Sequence, residues 1–133
     1  MVTYVSRIGF ITTNKVLAQS LSSALKDRAG SSFEPFLLLS PGQAELDTQV
    51  LQIDVALVDV MDRATGETAL PLCKTIRESV PSCRILLLLS QRDKDCKSMV
   101  IAAVRENIAD DFVFYDASLD YLIAKLSAFC PDS

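Results

Sequence analysis

Three observations predict an α/β fold with a mostly parallel sheet and helices on both of its faces. Short apolar runs alternate along the whole chain with segments of about 10 to 15 residues whose apolar positions recur at helical spacing. Strands separated in this way need right-handed βαβ crossovers. The run Val55, Ala56, Leu57, Val58 is apolar without a break, as expected for a strand buried on both faces at the centre of a parallel sheet. One carboxylate, Asp59, closes that run, and open α/β sheets carry their chemistry at the carboxyl ends of their strands.

The first strand is expected over residues 4–11. A helix follows over about residues 15–27, where Val16, Leu17, Leu21, Ala24 and Leu25 recur at helical spacing and Asn14 stands at the N-cap. Gly30, Ser31 and Ser32 make a turn before the second strand, Phe36, Leu37, Leu38 and Leu39, which Pro41 and Gly42 close. A short helix is expected over about residues 44–52, with Leu46, Val50 and Leu51 on its inner face. Residues 55–59 form the third strand. A loop over residues 60–66 then leads into a helix that runs to about Ser79, with Pro71 early enough in it to be tolerated. Pro81 separates this helix from strand four at residues 84–89. The helix over about residues 95–106 has an unusually apolar middle at residues 99–104. The fifth strand is expected at residues 112–115 and the last helix at residues 119–129, with Pro131 as its stop.

No internal repeat, low-complexity stretch or linker interrupts this alternation, and 133 residues at 14.6 kDa fit a single domain over residues 1–133. Half of the residues are hydrophobic and mean hydropathy is +0.29, which supports a substantial core and excludes disorder. Thirteen Lys and Arg against 17 Asp and Glu give a net charge of −4, the wrong sign for a domain that engages phosphate backbones. The apolar runs are far shorter than the roughly 20 residues of a spanning helix, and Arg7 interrupts the N-terminal stretch before a signal-like region develops. A cytoplasmic protein with no nucleic-acid or membrane contact of its own is the expectation. Cys73, Cys83, Cys96 and Cys130 are too far apart in sequence for a redox pair or a zinc knuckle, and are expected to pack inside. The absence of histidine removes Ser-His and Cys-His nucleophilic catalysis, so no enzyme is expected.

The order of these residues resembles the receiver domain of bacterial two-component response regulators, over residues 7 to about 129. Residues 7–21, RIGFITTNKVLAQSL, resemble the family's first strand and helix, with Thr12 and Thr13 in the places of its acidic pair. Asp59 matches the phosphoacceptor, and Met61 the position whose carbonyl completes the metal site. Ser90 matches the switch Ser or Thr. Phe112 keeps the switch aromatic, Tyr115 replaces the lysine and Asp116 the proline. The resemblance implies a flavodoxin-like receiver architecture, strand order 2-1-3-4-5, with a pocket of Thr12, Thr13, Met61, Ser90 and Tyr115 around Asp59. It also implies dimerisation through the fourth helix, fifth strand and fifth helix. The apolar residues Met99, Val100, Ile101 and Val104 are the expected interface, because six successive nonpolar residues cover more than one side of a helix.

Each departure has a chemical consequence. Phosphoryl transfer to a carboxylate concentrates negative charge that the family neutralises with a divalent cation and a lysine. Threonine hydroxyls are weak substitutes for carboxylate anchors of magnesium, so any Mg held by Asp59 is expected to be loose and no cofactor is assigned. Tyr115 carries no positive charge at neutral pH, its ordinary pKa being about 10. Lys15 and Arg63 are candidate replacement cations, and Asp62 and Asp116 candidate metal oxygens, although solvated positions are expected for all four. Without proline at 116 the preceding peptide is expected to be trans, since a non-proline cis bond costs about 2.5–4 kcal/mol.

The sequence therefore reads as an atypical receiver domain, a phosphorylation-independent protein-interaction and homodimerisation module serving a transcriptional output. A phosphoacceptor that takes its phosphoryl group from a sensor kinase on Asp59 is the first alternative. A small metabolite-binding α/β domain is the second, although Gly9, Gly30, Gly42 and Gly66 build neither a dinucleotide fingerprint nor a Walker loop.

Overall fold

The computed structural model describes residues 5–29, 32–60 and 69–130. Its elements alternate: β1 (Ser6–Ile11), α1 (Lys15–Ala29), β2 (Phe33–Leu38), α2 (Ala44–Val50), β3 (Val55–Asp59), α3 (Ala69–Ser79), β4 (Arg84–Leu89), α4 (Lys94–Arg105), β5 (Asp111–Phe114) and α5 (Leu119–Phe129). All strand pairs are parallel and the sheet order is β2-β1-β3-β4-β5, the doubly wound order that the resemblance implied.

Side-chain alternation along the strands divides the interior into two apolar layers. Ile8, Phe10, Val55, Leu57, Leu86, Leu88 and Val113 face α1 and α5, where Ala18, Leu25, Leu122 and Leu126 meet them. Ile11, Ala56, Val58, Ile85, Leu87 and Leu89 face the other way, onto Ala44 of α2, Ala69, Cys73 and Ile76 of α3, and Val100 and Ala103 of α4. Every residue of β3 is buried, which is why its sequence shows no polar alternation. Gly9 permits the close packing of β1 on its neighbours, since a Cβ there would lie 3.1 Å from Leu38 Cδ1.

Local signals account for the helix starts. The Leu17 amide donates to Asn14 Oδ1 at 3.1 Å, the Cys96 amide to Asp93 Oδ1 at 2.9 Å, and the Tyr121 amide to Ser118 Oγ at 3.1 Å. The second strand begins at Phe33, ahead of the expected Phe36. Pro35 fits inside it because β2 is an edge strand paired only with β1.

Two expectations are corrected. Leu46 and Val50 do not line the inner face of α2; they are 56% and 69% exposed. Ala44 and Thr48 face inward instead, and the Thr48 hydroxyl donates to the Ala44 carbonyl at 2.6 Å, which makes its burial inexpensive. Only Leu51 of the three packs on the core. In α4, Val100 is 1% exposed and belongs to the core, not to an interface, because it lies one turn from the buried Ala103 on the sheet-facing side. Met99 and Val104 are half-buried against the same layer, and Ile101 is the large apolar residue of this helix that faces solvent.

Candidate functional site

The register of the central strands assembles the site. Ile11 pairs with Val58, so the residues that follow, Thr12 and Asp59, meet side by side at the carboxyl edge of the sheet. Both are buried, at 1% and 2% exposure. The Thr12 hydroxyl donates to Asp59 Oδ2 at 2.7 Å and accepts from the Asn14 amide at 2.9 Å, so one side chain ties the carboxylate to the start of α1. Thr13 and Lys15 are exposed. Met61, Asp62 and Arg63 lie outside the described residues.

Ser90 follows β4 on the next strand and is 6% exposed, but its hydroxyl is turned to the β5 side. It donates to Asp116 Oδ2 at 2.6 Å and accepts from the Arg92 amide at 3.1 Å. The other carboxylate oxygen of Asp116 accepts from the Gln91 amide at 3.0 Å. The Ser90 hydroxyl foremost, and then the Gln91 amide, hold the Asp116 carboxyl below its ordinary 3.8. Asp116 therefore serves Ser90 and is not offered to a cation beside Asp59. Tyr115 is half-buried against the α1 and α5 layer, its amide donating to the Leu89 carbonyl at 3.0 Å. No peptide among the described residues is cis, in agreement with the expectation for the bond after Tyr115.

Among the described residues, the position that matches the family's lysine is Tyr115, a neutral side chain. Among the described residues no group of three or more His, Cys, Asp or Glu side chains converges on a point. The Thr12 hydroxyl occupies one acceptor position of Asp59 Oδ2. Cys96, in the first turn of α4, has its thiol pushed up to about 11, by burial first, then by a hydrogen bond with the Asp93 side chain and by the negative charges of Asp93, Asp95 and Asp59. Two clefts of about 470 and 550 Å³ open at this end and share Ser90, Arg92 and Tyr115; neither is lined by Thr12 or Asp59.

A second group of side chains runs along α4, β5 and α5. Phe112 and Phe114 lie on one face of β5 with ring centroids 5.4 Å apart, edge to face, and Phe114 stacks on Tyr121 at 6.4 Å. Lys97 Nζ lies 5.6 Å over the Phe114 ring, and Lys125 Nζ 5.4 Å over Phe112 while donating to Asp111 at 2.7 Å. Of these, sequence reading singled out Phe112 alone. The alternation Phe112, Phe114 and the one-turn spacing of Tyr121 and Lys125 were the available signals.

This arrangement, a doubly wound sheet with an acidic residue closing the central strand, is the fold of response-regulator receiver domains. No protein-family model matches the sequence and no curated protein matches it. Solved structures do. A response regulator from Thermotoga maritima superposes with a TM-score of 0.76 at 22% identity, covering 95% of this chain and 98% of the other. A two-component response regulator from Clostridium difficile gives 0.73 at 20% identity over 93% and 94%. A LuxR-family two-component response regulator from Aurantimonas sp. SI85-9A1 gives 0.75 at 16% identity over 94% and 84%.

Proposed function

We propose that this chain is a signalling module of the two-component type that works by protein contact and self-association without receiving a phosphoryl group. One observation carries the reading: the two halves of the family's switch are satisfied separately. The Asp59 carboxylate takes the Thr12 hydroxyl, and the Ser90 hydroxyl goes to Asp116. A phosphoryl group added to Asp59 would meet neither the acidic pair, which is Thr12 and Thr13, nor the lysine, which is Tyr115. Its charge would develop without those particular groups, a carboxylate-held cation and a lysine, that make such transfer fast in the family.

The contact surface that fits this role is the α4, β5 and α5 face, where Ile101 is exposed at 44% one helical turn from Lys97, whose ammonium lies over the Phe114 ring. A homodimer through this face, serving a transcriptional output, is the output favoured here. No helix among the described residues is long and apolar enough to cross a membrane, which is consistent with a cytoplasmic module.

Incubation with acetyl phosphate and magnesium, followed by intact-mass measurement, tests the reading. No stable mass increase is expected. A gain of one phosphoryl group that vanishes in Asp59→Asn would establish the phosphoacceptor alternative in its place.

A further inference from the structure

The loops that follow β4 and β5 are joined by hydrogen bonds centred on Asp116. Its two carboxylate oxygens divide the work: Oδ2 takes the Ser90 hydroxyl at 2.6 Å and Oδ1 the Gln91 amide at 3.0 Å. The Asp116 carbonyl accepts from Gln91 Nε2 at 3.3 Å, and the Ser90 oxygen accepts from the Arg92 amide at 3.1 Å. Hydrogen bonds to an ionised acceptor are the short, strong ones, and here two of them converge on one side chain from a single loop.

We infer that Asp116 is a built-in acceptor for Ser90, a latch that fixes the loop before α4 and thereby holds the α4, β5 and α5 face in one arrangement without an added phosphoryl group. The inference rests on the phosphorylation-independent reading above and adds the residue that replaces the missing signal. A serine hydroxyl has one proton to give, so a Ser90 engaged by Asp116 cannot also donate to a group on Asp59. The choice is exclusive.

The latch reaches the face through short connections. Gln91 and Arg92 stand directly before the Asp93 cap of α4, and Lys97, in the next turn, lies over Phe114. Phe114 is in turn two residues before Asp116. The closure from Asp116 through Ser90 and α4 back to Phe114 therefore sets where the start of α4 sits over β5. Releasing Asp116 leaves the Lys97 contact and the backbone bonds Tyr115 amide to Leu89 carbonyl and Asp93 amide to Ser90 carbonyl at this end.

Amide hydrogen exchange and side-chain NMR of the whole chain test this, with Asp116→Ala and Ser90→Ala as variants. Asp116 is exposed, so its replacement leaves the core intact. In Asp116→Ala, exchange at Gln91 and Arg92 is expected to accelerate at least about tenfold, with loss of the ring-current shift of Phe114 on Lys97. In Ser90→Ala, Arg92 accelerates while Gln91, still held by Asp116 Oδ1, does not. Unchanged exchange in Asp116→Ala overturns the latch. Accelerated exchange with an unmoved Lys97 overturns its control of the face. A phosphorylated Asp59 in the acetyl phosphate experiment would remove the broader reading but leave these rates as measured, so the two failures are distinguishable.

Discussion

Thr12 spends both capacities of its hydroxyl on the site, donating to Asp59 and accepting from the Asn14 amide. Thr12→Val keeps the shape and removes both bonds, so the buried carboxylate loses a donor and α1 loses a tie at its start. A loss of about 1–3 kcal/mol is expected, read from the urea midpoint, with Thr12→Ser recovering most of it. A valine variant as stable as the parent would mean that the Thr12 hydroxyl is incidental. The buried thiols make a second case. Burial pushes Cys73 and Cys83 up to about 12, from an ordinary 9. The folded chain keeps protons that the unfolded chain releases above pH 9, so their contribution is whole below pH 9 and is lost as pH rises toward 12. Iodoacetamide at pH 8 should accordingly leave both unmodified in the native protein and label them after unfolding, as peptide masses will show. The adjacency of Thr12 to Asp59 was legible through the family resemblance, which puts Thr12 in the place of one of the acidic pair beside Asp59. The pairing of Ser90 with Asp116 was not, because no pattern in the chain says how two polar loops 26 residues apart will turn toward each other.

The helices show where apolar patterning misleads. Residues 99–104 read as one apolar band, yet the helix turns Val100 and Ala103 into the core and Ile101 out to water. Val100→Ala should cost about 2 kcal/mol for the lost burial and the cavity left behind. Ile101→Glu should change stability by no more than about 0.5 kcal/mol. The same Ile101→Glu chain should sediment as monomer at micromolar concentrations where the parent is a dimer. A parent that stays monomeric well above that range would remove the dimer reading. Helix α2 is the sharper lesson. Seven residues offer few inward positions, and Ala44 and Thr48 fill them, with Leu51 packing just past the end, so Leu46 and Val50 point outward although their hydrophobicity alone argued for the inside. A buried threonine whose hydroxyl returns to its own helix competes well with a leucine when the space is small.

At the scale of the whole molecule, the proposed function separates sheet order from site chemistry. The doubly wound order rests on apolar runs and on the lengths between them, which is why it persists against solved receiver domains at 13% to 22% identity. In the family the chemistry rests on a handful of loop residues; the resemblance puts Thr12, Thr13 and Tyr115 in three of those places, while Asp59 stays in register with its neighbours. If architecture and chemistry are separable, restoring the exchanged groups should restore a cation site. Thr12→Asp and Thr13→Asp together with Asp59 would supply oxygen anchors for magnesium, and Tyr115→Lys would return the positive charge. Without the metal, three carboxylates within a few ångströms repel one another, raise at least one pKa and lower stability, so the triple variant should melt below the parent in a chelator. Magnesium at ten times its Kd should then give back about 1.4 kcal/mol, a rise of a few degrees in Tm, while the parent should not respond. A parent that gains as much as the triple variant would mean that the native pocket already holds magnesium, and the phosphoacceptor alternative would then move ahead of the contact-based reading.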